Sequence, residues 1–303
     1  MKELNELEKI MFRSSGNGLK PYEWMVLPTR QQQWIDDKGI FLWLAFFFSE
    51  IGAGLYFVSM FYEYKAGLIL GWLITLVLGG FIHVLYLGKP MRAWRMIMKP
   101  QTSELSRGIW IIGIYAVFGF LQMVTGSFNI VLNTISGILC LLIISHGFAT
   151  MNVVRALPAW SSTMVLPLSI VSGIWVGQQV LQFMVAVSGS AAMASGMEIW
   201  AETFFFAYFL CVLLYAWGTY HSDDIGKASI VMQATDDELK KITWIGVGGL
   251  GIVLPLLFTL IMWGGDTNGV LIFLRLACVF AGDLALRYVI MKSALYKPLL
   301  TRQ

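Results

Sequence analysis

Eight apolar runs of about twenty residues divide the chain: Ile40–Tyr62, Ala66–Gly88, Gly108–Gly126, Asn129–Met151, Met164–Val187, Met197–Tyr220, Ile242–Gly264 and Asn268–Ile290. At roughly 1.5 Å of rise per residue, an α-helix of that length crosses a hydrocarbon core about 30 Å thick. The pattern predicts an all-α integral membrane protein with eight transmembrane helices. The loop 152–163 divides them four and four, so two four-helix bundles are expected, 40–155 and 156–291, with an N-terminal arm, 1–39, and a tail, 292–303.

Charge is unevenly spread over the connecting segments. Of the 21 Lys and Arg residues, eighteen fall on the side of the N-terminus, Lys65 alone lies opposite, and Arg275 and Arg287 are inside the last run. Such a bias predicts that both termini face the cytoplasm. The turns on the far side are short and nearly uncharged apart from Ser188–Gly196, so a soluble partner is expected on the charged face. Composition excludes a soluble globule, because 57% hydrophobic residues, 13% charged residues and a mean hydropathy of +0.71 leave too little polar surface. The expected surroundings are a lipid bilayer, and no nucleic acid is expected as a partner. The first 39 residues lack the h-region and cleavage site of a signal peptide, so no processing is expected. Cys140, Cys211 and Cys278 each stand alone in a run without CxxC spacing, and they read as packing residues rather than ligands of zinc or an iron–sulfur cluster.

The arm opens with Leu4, Leu7, Ile10 and Met11 on one helical face and carries Trp24 and Trp34, the pattern of an interfacial arm or a docking segment. Between the second and third runs, Pro90, Arg92, Trp94, Arg95, Met96, Met98 and Pro100 suggest a short helix in the interface. Its Arg92, Arg95 and Lys99 are candidates for partner docking or for contact with anionic lipid. Small residues at Gly52 and Gly54, Ser172 and Gly173, and Gly246, Gly248, Gly249 and Gly251 predict close helix approach.

Ionisable groups within a membrane are costly and therefore informative. Here they are Glu50, His83, His146, Glu198, Glu202, Arg275, Asp283 and Arg287. His83 and His146 each precede the charged-side end of a run by about five residues, placing both roughly 8 Å below the same surface. Such a layer suits a quinone headgroup, which needs hydrogen-bond donors and groups that exchange protons near neutral pH. It also suits a b-type haem clasped between the second and fourth helices, or two satisfied structural histidines, and the residues alone leave the three open. Glu50 has no basic neighbour in sequence. Gln178, Gln179 and Gln182 with Glu202, Arg275 and Asp283 form a polar seam, either a proton path or a structural network in which Arg275 pairs with Glu202. Arg287 is expected to snorkel to the charged surface.

Several short motifs recur in a fixed order: Leu87-Gly88-Lys89-Pro90 with Arg92 and Trp94; Pro100, Thr102-Ser103 and Ser106-Arg107-Gly108 with Trp110; Leu157-Pro158-Ala159-Trp160 with Pro167 and Ser172-Gly173. Glu202, then Gly249-Leu250-Gly251 with Pro255, and Arg275 with Gly282 and Leu286-Arg287-Tyr288 continue it. With these the chain resembles the NrfD/PsrC family, the membrane subunits of bacterial iron–sulfur and molybdopterin oxidoreductase complexes. The resemblance implies a haem-free, quinone-reactive anchor in the inner (cytoplasmic) membrane of a bacterium or archaeon, with menaquinone as the expected quinone. It also implies a four-cluster ferredoxin-like subunit beside the first bundle and a molybdopterin catalytic subunit beyond it. Where the family often has Tyr before Thr-Gly, this chain has Ser145-His146-Gly147. Tyr86 replaces the usual His before Leu-Gly-Lys-Pro, with His83 a turn earlier, and Glu50 stands where Gly is frequent. The candidate quinone set is therefore His146, His83, Glu50, Ser145, Tyr86, Arg107 and Trp110, and the candidate proton path is Glu202, Arg275 and Asp283. Many relatives dock an exported partner on this face, whereas the charge bias places it inside; either the substrate is intracellular, the expectation preferred here, or a basic docking face overrules the charge rule. The alternatives are a b-haem cytochrome subunit and a proton-coupled secondary transporter. A transporter would be expected to break helices at matching positions of the two halves, and the sequence shows no such pair.

Overall fold

The computed structural model describes residues 25, 27–32, 34–126, 128–189, 191–262 and 268–299; the amphipathic start of the arm and Trp24 lie outside the described residues. Eight helices are long and apolar enough to cross a bilayer: α1 (Gly39–Phe61), α2 (Lys65–Tyr86), α3 (Glu104–Thr125), α4 (Ile130–Asn152), α5 (Val165–Val187), α6 (Glu198–Tyr220), α7 (Leu239–Met262) and α8 (Gly269–Lys292). The chain is an all-α, multi-pass membrane protein.

Local chemistry sets the helix ends. α3 starts four residues ahead of its apolar run because the Ser103 hydroxyl accepts a hydrogen bond from the Ser106 amide at 3.4 Å, with Glu104 in the first turn. Asn129 and Asn268 cap α4 and α8, each accepting from the amide two residues on, at 2.8 and 2.9 Å. α2 stops at Tyr86 as the backbone becomes extended at Leu87, ahead of Pro90. Two helices carry wide turns, α2 over Ile74–Gly79 and α7 over Ile242–Val253, where the backbone is π-helical but unbroken.

On the charged side, the expected short helix is a 3-10 helix, Pro90–Met98. A second helix, Asp224–Thr235, was not anticipated; Asp223 caps it by accepting from the Gly226 amide at 2.7 Å. A two-residue strand β1 (Thr29–Arg30) pairs antiparallel with β2 (Leu295–Tyr296). Ion pairs Arg30–Asp236, Lys292–Asp36 and Lys297–Asp223 join the arm, this helix and the tail into one face. Trp34 packs edge-on to Trp160 at 5.1 Å, and Trp160 Nε1 donates to the Ile290 carbonyl at 3.0 Å.

Among the spans, α1 and α5 are central, 67% and 61% buried over their apolar windows against 22–39% for the rest. α1 packs on α2, α4 and α5; α5 packs on α1, α4, α6 and α8; α7 lies along α8. Missing side chains make these approaches possible: a Cβ on Gly54 of α1 would lie 2.0 Å from the Gly173 carbonyl oxygen of α5, and one on Gly282 of α8 would lie 2.2 Å from Cα of Gly251 of α7. Gly248 and Gly249, grouped with these by spacing, face no other helix.

Candidate functional site

Below the charged face, α1, α2, α3 and α4 enclose a narrow cavity with room for about one water molecule. Glu50, His83 and His146 all line it, with Ser49, Phe46 and Gly108. Helix direction explains why groups that start at different depths meet. Side chains tilt toward the N-terminus of their helix, so Glu50 on α1 leans toward the charged face while His83 and His146, on the antiparallel α2 and α4, lean away from it. His83 Nδ1 lies 3.0 Å from the Gly79 carbonyl at the end of the π-helical segment. A carbonyl only accepts, so this nitrogen carries the proton and a neutral ring presents Nε2 to the cavity as an acceptor. Phe46 packs edge-on against the same ring at 5.5 Å. His146 is aimed at α3, where a Cβ on Gly108 would lie 2.0 Å from its Nε2. Both histidines are part-exposed, while Ser49 Oγ and Glu50 Oε1 are buried with no hydrogen-bond partner among the described residues.

Behind the cavity, the other oxygen of Glu50 accepts from Arg287 Nη1. Arg287 Nε donates to Asp283 at 2.8 Å and Nη2 to the Ser172 hydroxyl of α5 at 2.6 Å, with the guanidinium over the rings of Phe148 and Phe47 at 5.3 and 5.8 Å. Snorkelling of Arg287 to the surface is therefore overturned. The tilt of α8 side chains turns Arg287 inward, toward Asp283 four residues back and Glu50 across the interface. Asp283 thus belongs to this cluster and not to a seam with Glu202.

A second buried cluster lies toward the far side. Arg275 makes a two-pronged pair with Glu198, Nη2 lying 2.9 Å from Oε2, and donates to Gln179 at 2.9 Å and Gln182 at 2.7 Å. Its partner is Glu198 and not Glu202, which corrects the expected pairing. Glu198 begins the buried stripe of α6 that continues through Ala201, Phe205, Tyr208, Tyr215 and Thr219, while Glu202 sits beside that stripe, part-exposed and in no ion pair among the described residues.

The remaining candidates are not brought to the cavity. The Ser145 hydroxyl bonds back to the Leu141 carbonyl at 2.9 Å, and Tyr86 is part-exposed beyond the cavity wall. Arg107 donates to the Pro100 and Gln101 carbonyls, both at 2.9 Å, and Trp110 to the Ile97 carbonyl at 3.0 Å, so these two pin the 3-10 helix onto α3. Arg92, Arg95 and Lys99 are exposed on that helix beside Met91, Trp94 and Met98. Ser49, Arg287 and Ser172 complete the polar set that sequence reasoning had not joined to Glu50. No protein-family model matches this chain, and a comparison with the curated proteins finds no match.

Proposed function

We propose that this protein is the quinone-reactive membrane subunit of an oxidoreductase complex, of the NrfD/PsrC kind, exchanging electrons between a membrane quinone of the menaquinone class and an iron–sulfur partner on its charged face. The observation that carries the reading is the convergence of His83, His146 and Glu50, from three helices, on one cavity just beneath that face. The cavity itself takes no ring; the headgroup meets the part-exposed histidines at its lipid side. When bound there, a quinone would supply two-electron, two-proton chemistry. In quinol oxidation His83, with Nδ1–H held by Gly79, would take one of the two protons at Nε2 and His146 the other while both electrons pass to the partner, and in quinone reduction the same groups would return them. A water in the cavity, bonded to Ser49 Oγ and Glu50 Oε1, links the imidazoles to Glu50.

The partner's site is the exposed basic and apolar surface of Arg92, Trp94, Arg95, Met98 and Lys99, which suits an acidic, ferredoxin-like subunit with a molybdopterin subunit beyond it. By the Lys and Arg bias this face and both termini are cytoplasmic in an inner membrane. A b-haem fits the same residues poorly, since His146 Nε2 is directed at the backbone of α3 and the cavity that both histidines line has room for about one water molecule. The transporter reading lacks matched breaks: the π-helical segments fall in the second helix of the first four and the third of the last four.

The test is turnover of the copurified complex. His146→Ala is expected to lower quinone-linked turnover by about 10²-fold or more, the usual scale for a proton-transfer group, and to leave dye-linked turnover of the partner intact. An equal fall in both, or in neither, contradicts the proposal.

A further inference from the structure

We infer that Glu50, Arg287 and Asp283 form one buried unit that keeps a single proton shared between its two carboxylates. The inference rests on charge and geometry and stands independently of the quinone reading. Glu50, Asp283 and Arg287 are 1%, 0% and 3% exposed, within a part of the protein that hydrocarbon surrounds. Two carboxylates against one guanidinium leave one negative charge uncompensated, which a low-dielectric interior tolerates least. One proton makes the unit neutral. The Arg275 cluster is the internal contrast: one guanidinium meets one carboxylate, Glu198, and the charges already cancel.

The hydrogen bonds leave two places for that proton. Each carboxylate spends one oxygen on Arg287, and the other oxygen of each, Glu50 Oε1 and Asp283 Oδ1, is buried without a hydrogen-bond partner among the described residues. Oε1 borders the cavity of His83 and His146, on the α1 side. Tyr208 of α6 lies within electrostatic range of both Asp283 and Arg287, and its hydroxyl is likewise buried and unpartnered among the described residues. Among the described residues, these and Arg287 are titratable groups near the pair on the surrounding helices. Moving the proton from Glu50 to Asp283 leaves the net charge of the unit unchanged while carrying it past Arg287, from the first four helices to the last four. Arg287 holds one oxygen of each carboxylate and so positions the pair, and Asp283 shares the proton that Glu50 offers to the cavity.

Infrared spectroscopy of the full chain in lipid nanodiscs at neutral pH, with 13C-labelled Glu or Asp for assignment, tests this. The expected result is a carbonyl band of one buried neutral carboxylic acid that disappears in both Glu50→Gln and Asp283→Asn, since either change leaves one carboxylate for one guanidinium. Absence of the band from the unmodified protein overturns the inference, as does its survival in either variant, which assigns the proton to one acid alone. Both variants keep the charges balanced and should melt close to the unmodified protein. Should either fail to fold, Glu50→Asp and Asp283→Glu retain two acids and one base and are expected to keep the band; a folded variant of this pair without it overturns the inference equally.

Discussion

A Cβ on Gly108 would lie 2.0 Å from Nε2 of His146, so the bare backbone at one position of α3 decides where an imidazole on α4 can point. The contact is with the end of a side chain, which can swing aside. Gly108→Ala is therefore expected to displace the ring without unfolding the helix pair, and to reduce quinone-linked turnover in step with His146→Ala while the melting temperature stays nearly constant. Gly113, on the same helix, has open space around its Cβ position, and Gly113→Ala is the control that should leave turnover untouched. Full quinone-linked turnover in Gly108→Ala would detach the position of His146 from the chemistry. Nothing in the sequence linked these two residues: Gly108 read as part of a motif entering a helix, and only the crossing of α3 over α4 gives its missing side chain a purpose. The depth of His83 and His146, by contrast, was legible from simple counting along two runs.

At the scale of the helix, burial follows stripes, and the stripe of α6 separates two glutamates that depth alone cannot. Glu198 is on the buried face and completes Arg275; Glu202 is one turn along and beside it. Glu198→Gln is expected to strand a buried guanidinium and cost roughly 3–5 kcal/mol, read from chemical or thermal unfolding in lipid or mild detergent. Glu202→Gln should change stability by less than about 0.5 kcal/mol, as a substitution away from such a network does. Comparable losses in both would return Glu202 to the network. The spacing 198, 201, 205, 208 was there to be read, as was the four-residue step from Asp283 to Arg287. The pairing of Arg287 with Glu50, 237 residues away, had no local signal. Neither had the π-helical segments, which depend on how α2 and α7 seat against their neighbours. The eight spans themselves were plain because a bilayer imposes length and apolarity together, and their starts moved by more than one residue only at α3, which Ser103 caps, and at α7, which begins at Leu239.

Taken whole, the molecule gathers its two buried ion clusters around the most enclosed helices, α1 and α5, with α8 against them and Glu198 reaching in from α6, and sets its cavity among α1, α2, α3 and α4, while the outer faces of α3, α6 and α7 remain largely apolar. For the quinone proposed above, two of the openings among the described residues have to be told apart. One leads to the cavity of His83, His146 and Glu50 near the charged face; the other is a wider groove on the far side lined by Phe57, Phe61, Tyr62, Gln178, Trp200 and Phe204. Electron exchange with a partner on the charged face requires the first, because distance to that face is short only there. The most direct measurement is photolabelling of native membranes with a light-activated quinone, followed by peptide mapping with and without excess menaquinone. The expected result is label on the segments around Phe46–Glu50, His83 and Ile143–Gly147, suppressed by the competitor. Competed label confined to the far groove around Phe57, Trp200 and Phe204, with none near His83 and His146, would contradict the account.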